Sequence, residues 1–92
     1  MFLHVTDVRY LGEYKLQLTF DNGVTKNVDL REELYGEVFE PLWDQDMFRQ
    51  VIINPETITI EWPNGADFAP EFLYEIGEEV DRADLSTELQ TG

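Results

Sequence analysis

The chain has 92 residues, with six Lys and Arg against twenty Asp and Glu for a formal net charge of −14; 42% of residues are hydrophobic, 13% are aromatic, and there is no cysteine. That length is one domain, the apolar share is too high for a disordered chain, and the missing cysteine excludes a disulfide framework, a thiol nucleophile and a cysteine-ligated zinc site. What remains is an acidic globular unit that stands on its core.

Thr6 to Leu30 alternates with a period of two, interrupted by two turn signals, which is the pattern of a three-stranded antiparallel meander. Turn chemistry selects the register. A two-residue loop at Asn22-Gly23 would set Leu16 and Leu18 opposite Asp29 and Asn27, mixing apolar and charged groups on one face. A three-residue loop, Asp21-Asn22-Gly23 with Gly23 left-handed as a bulge, instead pairs Phe20 with Val24, Leu16 with Val28 and Tyr14 with Leu30. The same reasoning with Leu11-Gly12-Glu13 as the loop sets Tyr10 opposite Tyr14 and Val8 opposite Leu16, with His4 beside Phe20. Arg9, Lys15, Gln17, Thr19 and Asn27 then face water.

Beyond Leu30 the alternation stops. Arg31 to Tyr35 predicts one helical turn ended by Gly36, and Val38 to Trp43, with Pro41 inside it, predicts a packed connection. Asp44 or Asp46 can cap a short helix running through Phe48 and Arg49. Val51-Ile52-Ile53 and Ile58 to Trp62, separated by Asn54-Pro55-Glu56-Thr57, predict a second hairpin with Ile58, Ile60 and Trp62 on one face. Pro70 at a first helical position, Phe72, Leu73 and Ile76 at helical spacing, and Gly77 at the end predict a compact helix that covers the sheet. The expected fold is α+β, an antiparallel sheet of about five strands, the meander plus the second hairpin, with one main helix and short helical turns. Residues 1–77 form that domain, and 78–92 read as an acidic flexible tail in which Leu85 and Leu89 make at most a frayed helical face.

The charge is divided unevenly. Residues 1–30 hold Asp7, Glu13, Asp21 and Asp29 against Arg9, Lys15 and Lys26, a net of −1, so residues 31–92 carry the other −13. Six scattered basic residues do not make the clustered patch that displaces counterions from a phosphate backbone, which argues against direct nucleic-acid binding. A steered partner should be basic; the plainer role of such charge is to keep a small protein in solution. Apolar runs such as Val51-Ile52-Ile53 fall far short of the roughly 20 residues that span a bilayer. The amino-terminal Met1-Phe2-Leu3-His4 has no basic region or apolar core of a signal peptide, so the expectation is a cytoplasmic protein, monomeric or weakly dimeric.

Trp62-Pro63-Asn64-Gly65-Ala66-Asp67-Phe68, followed by Pro70-Glu71 and Leu73-Tyr74-Glu75, resembles a bacterial family, the domain of unknown function numbered 2442. Upstream support comes from Asp21-Asn22-Gly23, Val28-Asp29-Leu30, the stretch of Gly36, Val38, Phe39, Pro41 and Leu42, Phe48 and Asn54-Pro55, so the likeness covers about residues 3–77. The resemblance implies a small α+β domain without an established activity. Some longer members append a helix-turn-helix DNA-binding domain, which the short acidic stretch after Gly77 cannot form. Members also stand beside another small protein in suspected toxin–antitoxin pairs, which suggests a partner.

Catalytic patterns are thin. Ser86 and His4, the lone serine and histidine, lie near opposite ends of the chain and do not suggest a triad. Glu32 and Glu33, Asp44 and Asp46, and Glu78 and Glu79 lack any flanking signal that would desolvate one partner and split their acidities. Asp44-Gln45-Asp46 opens like a calcium loop, but Phe48 and Arg49 occupy positions that need oxygen and glycine. No catalytic residue, metal ligand or cofactor is assigned.

Pro63 to Asp67 is the candidate binding element. A loop between a tryptophan-ended strand and a helix could present Asn64 and Asp67, with Trp62 beneath and Glu71 beside it. The same residues also read structurally: Asn64-Gly65 as a turn, Asp67 as a helix cap or acceptor of backbone N–H groups, and Trp62 as core. The expected function is a non-enzymatic protein-binding module, an accessory protein or antitoxin-like neutraliser of a basic partner. Its alternatives are a carboxylate- or metal-dependent enzyme and a structural homo-oligomer.

Overall fold

In the computed structural model, which describes residues 3–80, the meander forms β1 (Val5–Gly12), β2 (Lys15–Phe20) and β3 (Thr25–Asp29). The chain then makes 3-10 turns at Arg31–Glu33 and Glu40–Trp43 and a one-turn helix, α1 (Gln45–Phe48). A hairpin of β4 (Ile52–Asn54) and β5 (Thr59–Glu61), the helix α2 (Pro70–Ile76) and a short strand β6 (Glu78–Glu79) complete it. The fold is α+β, but its strands make two antiparallel sheets, one ordered β1-β2-β3-β6 and the other β4-β5, in place of a single sheet. No helix among the described residues is long and apolar enough to cross a membrane.

The β2–β3 register is the expected one. Leu16 pairs with Val28, the Phe20 N–H donates to the Val24 carbonyl, and Leu30 N–H donates to Tyr14. Gly23, at φ 87°, supplies the left-handed residue that ends the three-residue loop. Between β1 and β2 the register differs by two residues: Tyr10 pairs with Leu16 and Val8 with Leu18. The turn is Glu13-Tyr14, with Gly12 and Glu13 both at positive φ. A slip of two keeps Val8 and Tyr10 on the core face, so burial cannot distinguish the registers. The ring of Tyr14 can, because off the ladder it packs edge-on to Trp43 at 5.0 Å and to Phe48 at 5.6 Å.

A bulge between Val5 and Asp7 turns Val5, and not His4, toward Phe20. His4 stays partly exposed and bonds to Asp21. Ile58 is another departure, since it adopts φ 53° and closes the Asn54–Ile58 loop by donating its N–H to the Asn54 carbonyl. Of the three residues expected on one strand face, only Ile60 and Trp62 are buried, while Thr59 is buried as well and donates its hydroxyl to the Phe68 carbonyl at 2.7 Å. The Ile58 carbonyl accepts the Val5 N–H, tying the second hairpin to β1.

Helix α1 is capped by Asp44, whose carboxylate accepts the Asp46 N–H. Helix α2 begins at Pro70 as expected and lies over the meander, with Leu73 buried and the Tyr74 ring edge-on to Phe20 at 5.1 Å. Gly77 ends it in an extended conformation, φ −76°. Closeness, not a left-handed turn, accounts for the glycine: a Cβ there would lie 2.9 Å from Val28 Cγ2 and 3.0 Å from the Leu73 carbonyl oxygen. That approach lets the chain continue along β3, where Glu79 pairs with Lys26, Glu78 with Asn27, and the Val80 N–H donates to Thr25. Glu78 and Glu79 therefore belong to the sheet, with Val80 hydrogen-bonded to its edge, and not to a tail beginning after Gly77. Residues 81–92, with Leu85, Ser86 and Leu89, lie outside the described residues.

Candidate functional site

Trp62 to Ala66 forms a tight reversal at the end of β5. Trp62 N–H donates to the Ala66 carbonyl, Gly65 N–H donates back to Trp62, and Gly65 stands at φ 90°. The Asn64 side-chain oxygen accepts the Ala66 N–H at 3.1 Å. The β2–β3 turn is built identically, with Phe20 and Val24 closing it, Gly23 donating to Phe20, and Asn22 accepting the Val24 N–H at 3.0 Å. Two Asn-Gly pairs thus make the same loop, each satisfying backbone groups that water would otherwise have to reach. Beyond the loop a single antiparallel bridge between Glu61 and Asp67 extends the hairpin.

The four expected binding residues go to different places. Trp62 is fully buried, its indole N–H bonded to the Phe48 carbonyl, and so contributes no contact surface. Its size and apolar neighbours make it core. Asn64 is exposed and uses its amide N–H to hold the Val38 carbonyl at 2.8 Å, which clamps the 31–43 connection to the loop. Glu71 is exposed in the first turn of α2, where its carboxylate accepts the Leu3 N–H at 3.1 Å. Asp67 is exposed and does not cap α2, whose N-cap is Ala69 with no side-chain bond.

Asp67 instead stands on a groove of about 330 Å³ that residue-by-residue reading misses, lined by Glu33, Tyr35, Phe39, Asp67, Phe68, Ala69 and Phe72. Phe68 stacks on Phe39 at 4.7 Å and on Phe72 at 5.7 Å, with Trp62 edge-on behind it at 6.0 Å. The pairs Tyr35 and Phe39, and Phe68 and Phe72, are each spaced by four residues, and that spacing is the one sequence signal that marks them. What it cannot show is that the two pairs meet.

Electrostatically the surface is plain. Asp21 is held below the ordinary carboxylate value by the side-chain hydrogen bond from His4, helped by the His4 backbone N–H. Among the described residues no group of three or more His, Asp or Glu side chains converges as a metal site would require. Arg31 pairs with Glu13, and Arg49 with Asp46, both on the surface, where such pairs contribute little stability.

Residues 5–79 match the model of a family described as "Protein of unknown function (DUF2442)". A 64-residue stretch, 67% of the chain, is 38% identical to the aspartate–tRNA ligases of Lactococcus lactis subsp. cremoris strains MG1363 and SK11. The match covers 11% of the length of those enzymes. No solved structure matches the chain.

Proposed function

The chain belongs to the DUF2442 family of proteins of unknown function, and from that premise we propose that it is a non-enzymatic, cytoplasmic protein-binding module, an accessory or antitoxin-like neutraliser of a basic partner. The supporting observation is a local one. Of the six large apolar residues that are exposed among the described residues, Tyr35, Val38 and Trp43 sit in the single connection between β3 and α1, beside Glu32, Glu33, Glu37 and Glu40. Exposed aromatic groups interleaved with carboxylates combine the two elements of a charged interface: side chains that exclude water and set the off-rate, and a field that sets the on-rate. Asn64 holds this connection in place through the Val38 carbonyl.

Affinity purification of the tagged full chain from its native host, at low and physiological salt, tests the proposal. The expected result is a basic protein whose association slows as salt rises, because the steering field decays over about 8 Å at physiological ionic strength. Neutralising Glu37, Glu40 and Glu75 together should slow association and flatten that dependence. An acidic partner, or binding indifferent to salt, rejects it.

A second reading, a structural homo-oligomer, rests on one observation: β1, eight residues long, lies at the outer edge of its sheet, with β2 as its one ladder partner among the described residues. A concentration-dependent mass in light scattering would favour it.

A further inference from the structure

Tyr35, Phe39, Phe68 and Phe72 bring aromatic surface to one groove whose lining also includes the acidic residues Glu33 and Asp67. The rings of Phe39, Phe68 and Phe72 run in file, inclined by 22° and 19° across the two successive pairs. All three are only partly buried, and Tyr35 is 73% exposed. A stack of near-parallel rings presents ring faces and edges of one orientation to an entering group, and a flat cation suits such a face.

The protein's own cations show the chemistry of such a combination. Arg31 lies 5.3 Å from the centre of the Tyr14 ring while it pairs with Glu13, and the Lys26 ammonium lies 3.9 Å from the centre of the Tyr74 ring. Among the described residues no Lys or Arg lines the groove. Its aromatic and acidic groups are therefore the same pair of partners that Arg31 finds in Tyr14 and Glu13, offered outward.

We infer that the groove takes an arginine side chain from an extended segment of a basic partner protein. The guanidinium plane lies along the aromatic surface and its N–H fork donates to Asp67 or Glu33, a geometry that lysine, a compact and strongly hydrated point charge, cannot reproduce. A volume of about 330 Å³ lies at the small end of ligand sites, which suits one long side chain and its flanking peptide units. The excess of negative charge in residues 31–92 favours the same sign of ligand. The biological identity of the partner rests on the protein-binding reading above, whereas the groove's preference is measurable without any partner.

The test is an NMR titration of the full chain with the peptide acetyl-Gly-Ser-Arg-Ser-Gly-amide and with its lysine and citrulline counterparts. Ring signals of Tyr35, Phe39, Phe68 and Phe72 should move saturably with the arginine peptide and remain unmoved with citrulline, and the arginine peptide should bind about threefold or more tightly than the lysine one. Combined Glu33→Gln and Asp67→Asn should weaken arginine binding about tenfold, whereas Asp7→Asn with Glu56→Gln, an equal charge change outside the groove, should weaken it less than about twofold. Tyr35→Ser, at an exposed position, should weaken it without affecting folding. Shifts spread over the acidic surface, equal affinity for lysine, or equal effects of the two charge pairs would overturn the inference. Those results together with a captured basic partner would remove the groove and keep the binding module; arginine selectivity without any basic partner would do the reverse.

Discussion

The indole N–H of Trp62 donates to the backbone carbonyl of Phe48 at 2.7 Å, and the two buried rings lie 5.6 Å apart. That bond joins the end of the second hairpin to α1 at a point closed to water. Replacing Trp62 with Phe removes the donor, leaves the Phe48 carbonyl without it, and vacates part of the indole volume, for an expected loss of about 2–4 kcal/mol. Urea denaturation would measure it, and a loss under about 1 kcal/mol would mean that the contact does not organise the core.

Gly23 and Gly65 hold the same left-handed position in matching loops, and a Cβ at either would meet nothing within 4 Å. Alanine there should cost about 1–2 kcal/mol through backbone conformation alone, and asparagine, which tolerates that region, should cost less. Gly77 should behave oppositely. Its φ is ordinary, but any side chain collides with Val28 and the Leu73 carbonyl, so asparagine should be worse than alanine. Six variants and one melting series decide this, and equal ranking at all three glycines would contradict it.

His4 and Asp21 bond to each other through both side chains and backbone, His4 Nδ1 lying 2.8 Å from Asp21 Oδ2. The Asp21 carboxyl is consequently lowered from 3.8. A carboxyl depressed in the folded state favours folding above its unfolded value, and that contribution disappears as pH falls through the folded one. Stability should therefore decline below about pH 4 partly through Asp21, and Asp21→Asn should flatten that limb. Carboxyl NMR titration gives the direct check: in His4→Gln the Asp21 value should rise, and an unchanged value would show that His4 is not the cause.

Chains ended after Gly77 and after Val80 differ only by β6 and the Val80 N–H bond to Thr25. The longer one should be more stable by about 1 kcal/mol, which for a domain of this size raises the melting temperature by about 4–8 °C. Equal melting temperatures would show that Glu78 to Val80 contribute nothing to the sheet.

What could be read from the residues alone follows a physical boundary. The β2–β3 register was determined by Asp21-Asn22-Gly23, because a left-handed glycine and an Asn side chain act within a few bonds of the turn they make. The same chemistry made the Asn64-Gly65 reversal legible, and the acidic excess needed only counting. The β1–β2 register was not determined locally, since a slip of two residues preserves the buried face and the choice fell to the packing of Tyr14 on Trp43 and Phe48. Trp62 reads locally as core more readily than as contact surface, and the bond from its N–H to the Phe48 carbonyl decides for core. The groove lay furthest out of reach: its rings come from the 35–39 connection and from residues 68–72, and only the close packing of those distant segments places Phe39 against Phe68. Dihedral preference and periodicity act over a few residues, so they set turns and faces; which faces meet is decided by packing across the whole chain.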